Sequence, residues 1–219
     1  PAKRGGTGMS YYIENIFLCL AVPLILSLLF RKGRQRTFTV FVILGMGSCL
    51  LSAYVSSFFA GCYGADTAVA VMEITPVCEE VVKFLPLLFY LLVFEPDKHE
   101  IVSPAIGIAV GFATFENVCY LTENGAADFS YVLIRGVSAG SLHLLCGIAL
   151  GCGIAYVFQK KWIMVTGTIG ALGACVVFHG IYNILITANC RWNLIGYLFP
   201  IFLIFALLVV KKFRLYRKI

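Results

Sequence analysis

Seven long apolar runs, separated by short polar connections, constrain this chain more than any other feature. They lie at approximately Tyr12–Phe30, Phe38–Ala60, Thr67–Phe94, Val102–Leu121, Tyr131–Phe158, Trp162–Thr187 and Leu194–Val210. Lipid offers a backbone no hydrogen-bond partners, so a span must satisfy its own. A helix does this, and about 20 apolar residues cover the hydrocarbon core. The chain is 60% hydrophobic and 13% charged, where soluble domains run near half and a quarter. A disordered chain, a collagen and most soluble enzymes are excluded. The expected fold is all-α: a polytopic membrane protein of about seven transmembrane helices in one bundle. Residues 9–219 show no soluble insertion, internal repeat or low-complexity tract, and read as a single domain. Residues 1–8 (PAKRGGTG) have the composition of a vector-derived extension, with Met9 as the expected native start.

Charge gives an expected orientation. Connection one carries Arg31, Lys32, Arg34 and Arg36, connection three Lys98, connection five Lys160 and Lys161. The tail carries Lys211, Lys212, Arg214, Arg217 and Lys218. These twelve basic residues share one side, and beyond residue 8 the other side holds only Arg191. The positive-inside rule places the N-terminus outside and the C-terminus in the cytoplasm. The basic residues cluster at span ends without a stripe of interleaved aromatics, so they are a topology signal and no nucleic-acid partner is expected. The run at Tyr12–Phe30 is long and its basic residues follow it, so cleavage as a signal peptide is not expected. Nine cysteines include no C-x-x-C pair. Most sit inside apolar runs and read as small hydrophobes. Only Cys62 and Cys190 fall near polar connections, on the same expected side, where pairing is open.

Ionisable groups deep in a span are costly and mark function. Here they are Glu79, Glu80 and Lys83 in span three, Glu116 in span four, His143 in span five and His179 in span six, with the amides Asn117 and Asn183. Glu73 and Arg135 lie nearer the outer ends. At 1.5 Å per residue, Glu79 and His143 are roughly 18 Å, His179 about 12 Å and Glu116 about 8 Å from the outer ends of their spans. Four helices thus place proton-active groups between the midplane and the outer leaflet, which points to one wet polar cavity. Glu79 and Lys83 are four apart and Glu80 and Lys83 three apart, both within pairing reach. Adjacent helical residues diverge by ~100°, so one carboxylate can enter the cavity while the other pairs with Lys83. Two buried carboxylates against one lysine leave a negative group in excess, suited to a general base. The bland reading is an inter-helix salt bridge. Glu116 and Asn117 read blandly as a polar pair holding helices together. His179 and Asn183, one turn apart on one face, can donate to an oxyanion. Pro76 frees a backbone carbonyl just above the acidic pair.

Other motifs carry less. Gly136-Val137-Ser138-Ala139-Gly140 matches G-x-S-x-G, but a nucleophile elbow needs a strand-to-helix turn. The glycine spacing, repeated at Gly107/Gly111 and Gly147/Gly151, reads as close helix packing. Asp66, Asp97 and Asp128 lie in or beside connections, which excludes an aspartyl dyad. His99, in Glu95–Glu100, reads as a solvated loop residue.

Glu79-Glu80-x-x-Lys83, Phe112-x-x-x-Glu116-Asn117, His143 and His179-x-x-x-Asn183 together resemble the PrsW family of intramembrane proteases, which groups with the CAAX-protease and bacteriocin-processing membrane peptidases. The resemblance covers four consecutive spans, about half the chain. It implies cleavage of a single-pass membrane protein near its external side, such as an anti-sigma factor, in a bacterial plasma membrane. It also implies that Glu79 activates water and that His179 with Asn183 stabilises the oxyanion. The larger group often carries histidine where this chain has Glu116. The expected catalytic set is therefore Glu79, Glu80, Glu116, His143, His179 and Asn183, supported by Lys83 and Asn117, with no cofactor. Glu80 orients Glu79 or pairs with Lys83, and Glu116 and His143 help hold the water. Two rivals stand beside this: a zinc peptidase with Glu79, Glu116, His143 and His179 as ligands, and a proton-coupled transporter or non-catalytic membrane scaffold. Oligomeric state is left open.

Overall fold

A computed structural model describes residues 13–124, 129–157, 160, 162–188 and 191–216. Among them the secondary structure is helical, without strands. Residues 1–8 and Cys190 lie outside the described set, and with them the expected extension and the open Cys62–Cys190 pairing.

Each apolar run becomes a helix. The first two are α1 (Ile13–Ser27) and α2 (Gly33–Tyr63). The third run is a stack of α3 (Thr67–Val69), a π-helical turn (Ala70–Ile74) and α4 (Thr75–Phe94). The remaining four are α5 (Lys98–Asn124), α6 (Phe129–Val157), α7 (Met164–Thr187) and α8 (Arg191–Tyr216). Five helices are long and apolar enough to cross a membrane: α2, α5, α6, α7 and α8. α1 is short at 15 residues, and α4 carries Glu79, Glu80 and Lys83 within its 20. α2, α5 and α8 extend past both ends of their apolar runs, because hydropathy marks only the lipid-facing length. Lys98 and His99, expected in a connection, thus lie in the first turn of α5, where His99 is exposed.

The ends have local causes. Gly64 takes φ 61° and its N–H caps the Ala60 and Gly61 carbonyls, stopping α2. Asp66 then caps α3 through the Val69 N–H at 2.8 Å. Glu95 ends α4 at φ 45°, pushed from helical geometry by Pro96.

α5 is the central slab, with α2 on one side and α6 on the other. A Cβ on Gly111 would sit 1.9 Å from the Val42 carbonyl oxygen, and one on Gly45 2.1 Å from that of Ile108. On the other face, Gly147 and Gly151 bring α6 onto Ala109 and Ala105. The expected packing role therefore holds at Gly107/Gly111 and Gly147/Gly151. It fails at Gly136/Gly140: nothing lies within 4 Å of a Cβ on Gly140, and Gly136 makes only ordinary contact. α4 packs on α2 and α7, and α8 closes against α6 and α7. The outer surface is apolar, with Leu29, Phe58, Phe89, Ile169 and Phe202 exposed. Glu80, Lys83, His143, His179 and Asn183 are buried. Apolar outside and polar inside suits a bundle solvated by lipid.

Candidate active site

α4 presents Glu79, Glu80 and Lys83 on successive directions of one helix. Glu80 turns inward, and its Oε1 accepts from Lys83 Nζ at 2.6 Å and from His179 Nδ1 of α7 at 2.8 Å. Lys83 Nζ also lies 2.8 Å from His143 Nδ1 of α6 and 4.3 Å from the centre of the Phe112 ring. An ammonium only donates, so His143 Nδ1 accepts and its Nε2 carries the proton. That Nε2 meets Glu116 Oε2 of α5 at 2.6 Å. Glu116 Oε1 accepts from Arg135 at 3.0 Å, and the same guanidinium donates to Asn117 Oδ1 at 3.0 Å. The Asn117 amide donates to the Gly136 carbonyl. One continuous network thus joins α4, α5, α6 and α7. The two imidazoles meet edge to face, 5.2 Å between ring centres.

Of the two carboxylates that sequence left competing for Lys83, Glu80 takes it. Glu79 is the exception in the network. Its Oε2 is buried without a hydrogen-bond partner, 3.8 Å from His179 Nε2. His179 Nδ1 is committed to Glu80, so Nε2 is the ring nitrogen left facing that oxygen. Lys83 pairs with Glu80 and Arg135 with Glu116, so Glu79 is the carboxyl left without a lysine or arginine partner. Glu79 and Glu116 line a cavity of about 600 Å³ among α1, α2, α4 and α5. Ser52, Ser56, Thr75, and Glu14 hydrogen-bonded to Tyr54, also line it. His143 and His179 are packed behind this wall rather than on it. A larger apolar groove, about 1180 Å³, lies between α2 and α4 and holds none of the site acids.

Asn183 sits one turn beyond His179 and is buried, and its amide donates to the Val71 carbonyl at 2.9 Å. Ser138 is buried, and its hydroxyl bonds to no histidine or carboxylate, so the G-x-S-x-G match builds no nucleophile. Arg135 was placed in the sequence only near an outer end. Its signal was depth: four residues into span five, it matches the level of Glu116, a buried acid that needs a counter-charge.

Glu79, His143 and His179 each offer a ligand atom, all within 4.8 Å of one another. Two imidazoles and a carboxylate are a donor set that catalytic zinc accepts. The orphaned Glu79 oxygen and His179 Nε2 fit such an ion, whereas His143 would have to give up Lys83 or Glu116, which hold its two nitrogens, to join them. Glu80 on His179 Nδ1 supplies the outer carboxylate that metal-bound histidines use. Glu116 falls outside this trio and reaches it through His143.

The sequence profile described as "PrsW family intramembrane metalloprotease" matches residues 33–210. The chain is 29% identical to Protease PrsW of Bacillus subtilis (strain 168) over 104 residues, covering 45% of this chain and 43% of that protein. It is also 29% identical to Protease PrsW of Oceanobacillus iheyensis over 124 residues, covering 53% of this chain and 54% of that one. The chain thus spans about half the length of the curated relatives it matches. No solved structure matches it.

Proposed function

Because the chain belongs to the PrsW family of intramembrane proteases, we propose that it is itself a membrane endopeptidase in which Glu79 activates the attacking water. The observation that carries this reading is Glu79 itself: it lines the cavity beside Glu116, Ser52, Ser56 and Thr75, and its Oε2 is buried without a hydrogen-bond partner. Peptide hydrolysis needs a base for the water, a donor for the oxyanion and a proton for the leaving amine. Glu79 takes the proton as the water oxygen bonds to the scissile carbonyl carbon. His179 Nε2 stands 3.8 Å from the same carboxylate oxygen, a gap that the hydroxyl of the tetrahedral intermediate would bridge to pass the proton on. The ring then carries an N–H at each nitrogen. One stays on Glu80, and the other serves the oxyanion and then the leaving amine as the C–N bond breaks. Lys83, His143, Glu116 and Arg135 fix these two residues in place.

The substrate in this reading is a single-pass membrane protein, cut near the extracytoplasmic side of a bacterial plasma membrane. An anti-sigma factor fits that description. The expected experiment compares new N-termini in membranes of cells producing the wild-type chain or Glu79→Gln at equal level. Cuts in or beside single spans should appear only with wild type. A loss of about 10²–10⁴-fold in the variant is the scale of a general base. Identical termini in both membranes would remove Glu79 from the mechanism.

A second reading is favoured by the 4.8 Å trio of donor atoms. In it Glu79, His143 and His179 would hold a zinc ion, and the chemistry such an ion would supply is Lewis-acid polarisation and easier ionisation of water. Metal analysis of purified protein separates the two. Near-stoichiometric zinc, lost in His179→Ala, supports the metal site, and full activity in metal-free protein excludes it.

A further inference from the structure

His179 and Asn183 share one face of α7, and both reach the third helical stack. His179 meets Glu80, and Asn183 donates to the Val71 carbonyl at 2.9 Å. That carbonyl is available for a reason written in the sequence. In an α-helix it accepts the N–H of Thr75. Here the Thr75 N–H goes to Ala70, five residues back, in the π register. The next donor in that register is residue 76, a proline without an N–H. Val71 is left with an orphaned, partly buried carbonyl. Asn183, buried and one turn from His179, fills the vacancy.

We infer that Asn183 is a positioning residue for the hydrolysis proposed above: it caps the carbonyl that Pro76 orphans and so fixes the π turn leading into Glu79 and Glu80. The turn ends at Ile74, five residues before Glu79. A π turn holds one residue more than an α turn, so losing it rotates the following residues by roughly 100° relative to those before it. The directions in which the two carboxylates leave α4 therefore depend on the lock. The amide is committed to the backbone, so Asn183 acts through α4 and not on the reacting carbonyl.

A double-mutant cycle tests this: wild type, Asn183→Ala, Pro76→Ala and the pair. Alanine at 76 restores an N–H. In the π register that N–H satisfies Val71, and in the α register Thr75 does. Cleavage is quantified at the cut sites found with wild-type membranes, below the melting temperature of the weakest variant. Next to Pro76, Asn183→Ala should cut cleavage by about tenfold or more and lower the melting temperature. Next to Ala at 76, its effect on cleavage should shrink to within about threefold. An oxyanion donor is lost equally in both backgrounds, so an undiminished effect overturns the proposal. If Asn183→Ala does not fold, recovery in the double variant supports the lock and failure there overturns it. Misfolding of Pro76→Ala alone also overturns it, since a satisfied carbonyl needs no side-chain donor. The melting measurements need no substrate. A chain that cuts nothing refutes the peptidase reading, while the thermal coupling still decides the lock.

Discussion

At the scale of single residues, the site is governed by the cost of burying charge. Glu80 and Lys83 are both almost fully buried and 2.6 Å apart. Breaking such a pair strands the partner, whereas replacing both members is far gentler. Lys83→Met is therefore expected to destabilise the protein by about 3–5 kcal/mol, read as a fall in melting temperature in detergent. The double variant Lys83→Met, Glu80→Gln should recover most of that loss. Failure to recover would mean that Lys83 is held for its contact with His143. Arg135 and Glu116 are partly exposed, at 14% and 24% of their side chains. Arg135→Met should accordingly cost less than Lys83→Met in the same assay. Much of this chemistry was legible residue by residue. Acids, imidazoles and one lysine inside apolar runs stand out because burying them is costly. The partner of each was not legible, because pairing depends on which way a side chain leaves its helix.

At the scale of elements, small residues decide how closely the helices meet. The α2–α5 contact runs backbone to backbone through Gly45, Gly107 and Gly111. Gly111→Ala puts a methyl 1.9 Å from the Val42 carbonyl oxygen, so the helices must part. The expected penalty is about 1–3 kcal/mol or more. Gly140→Ala meets nothing within 4 Å, and should stabilise by about 0.5–1 kcal/mol through helix propensity. Thermal melts of the two variants should move in opposite directions, and parallel shifts would refute the packing account. Three pairs of glycines with one spacing look alike in sequence. Only the neighbour across the interface separates those that pack from the pair that does not. The π turn has the same character. Pro76 announced a disrupted carbonyl, but the donor that repairs it stands 112 residues away in the chain.

At the scale of the whole molecule, the basic connections predict an orientation. We expect the C-terminus in the cytoplasm and the 600 Å³ cavity opening toward the opposite side. A fluorescent reporter that folds only in the cytoplasm, fused at the C-terminus, should be bright, and a periplasmic phosphatase there inactive. The reverse pattern inverts the topology and puts the proposed cut on the cytoplasmic side. The helical class, the approximate places of the helices, their apolar outer surface and the ionisable residues inside the apolar runs were legible in the sequence. Hydropathy and the expense of a buried charge are local quantities, written into each segment separately. Tertiary structure alone decided that Glu80 answers Lys83 and His179, that Arg135 answers Glu116, and that Glu79 is left over. Those outcomes depend on helix rotation and contact between distant segments, and a rotation of one residue exchanges which carboxylate faces the cavity.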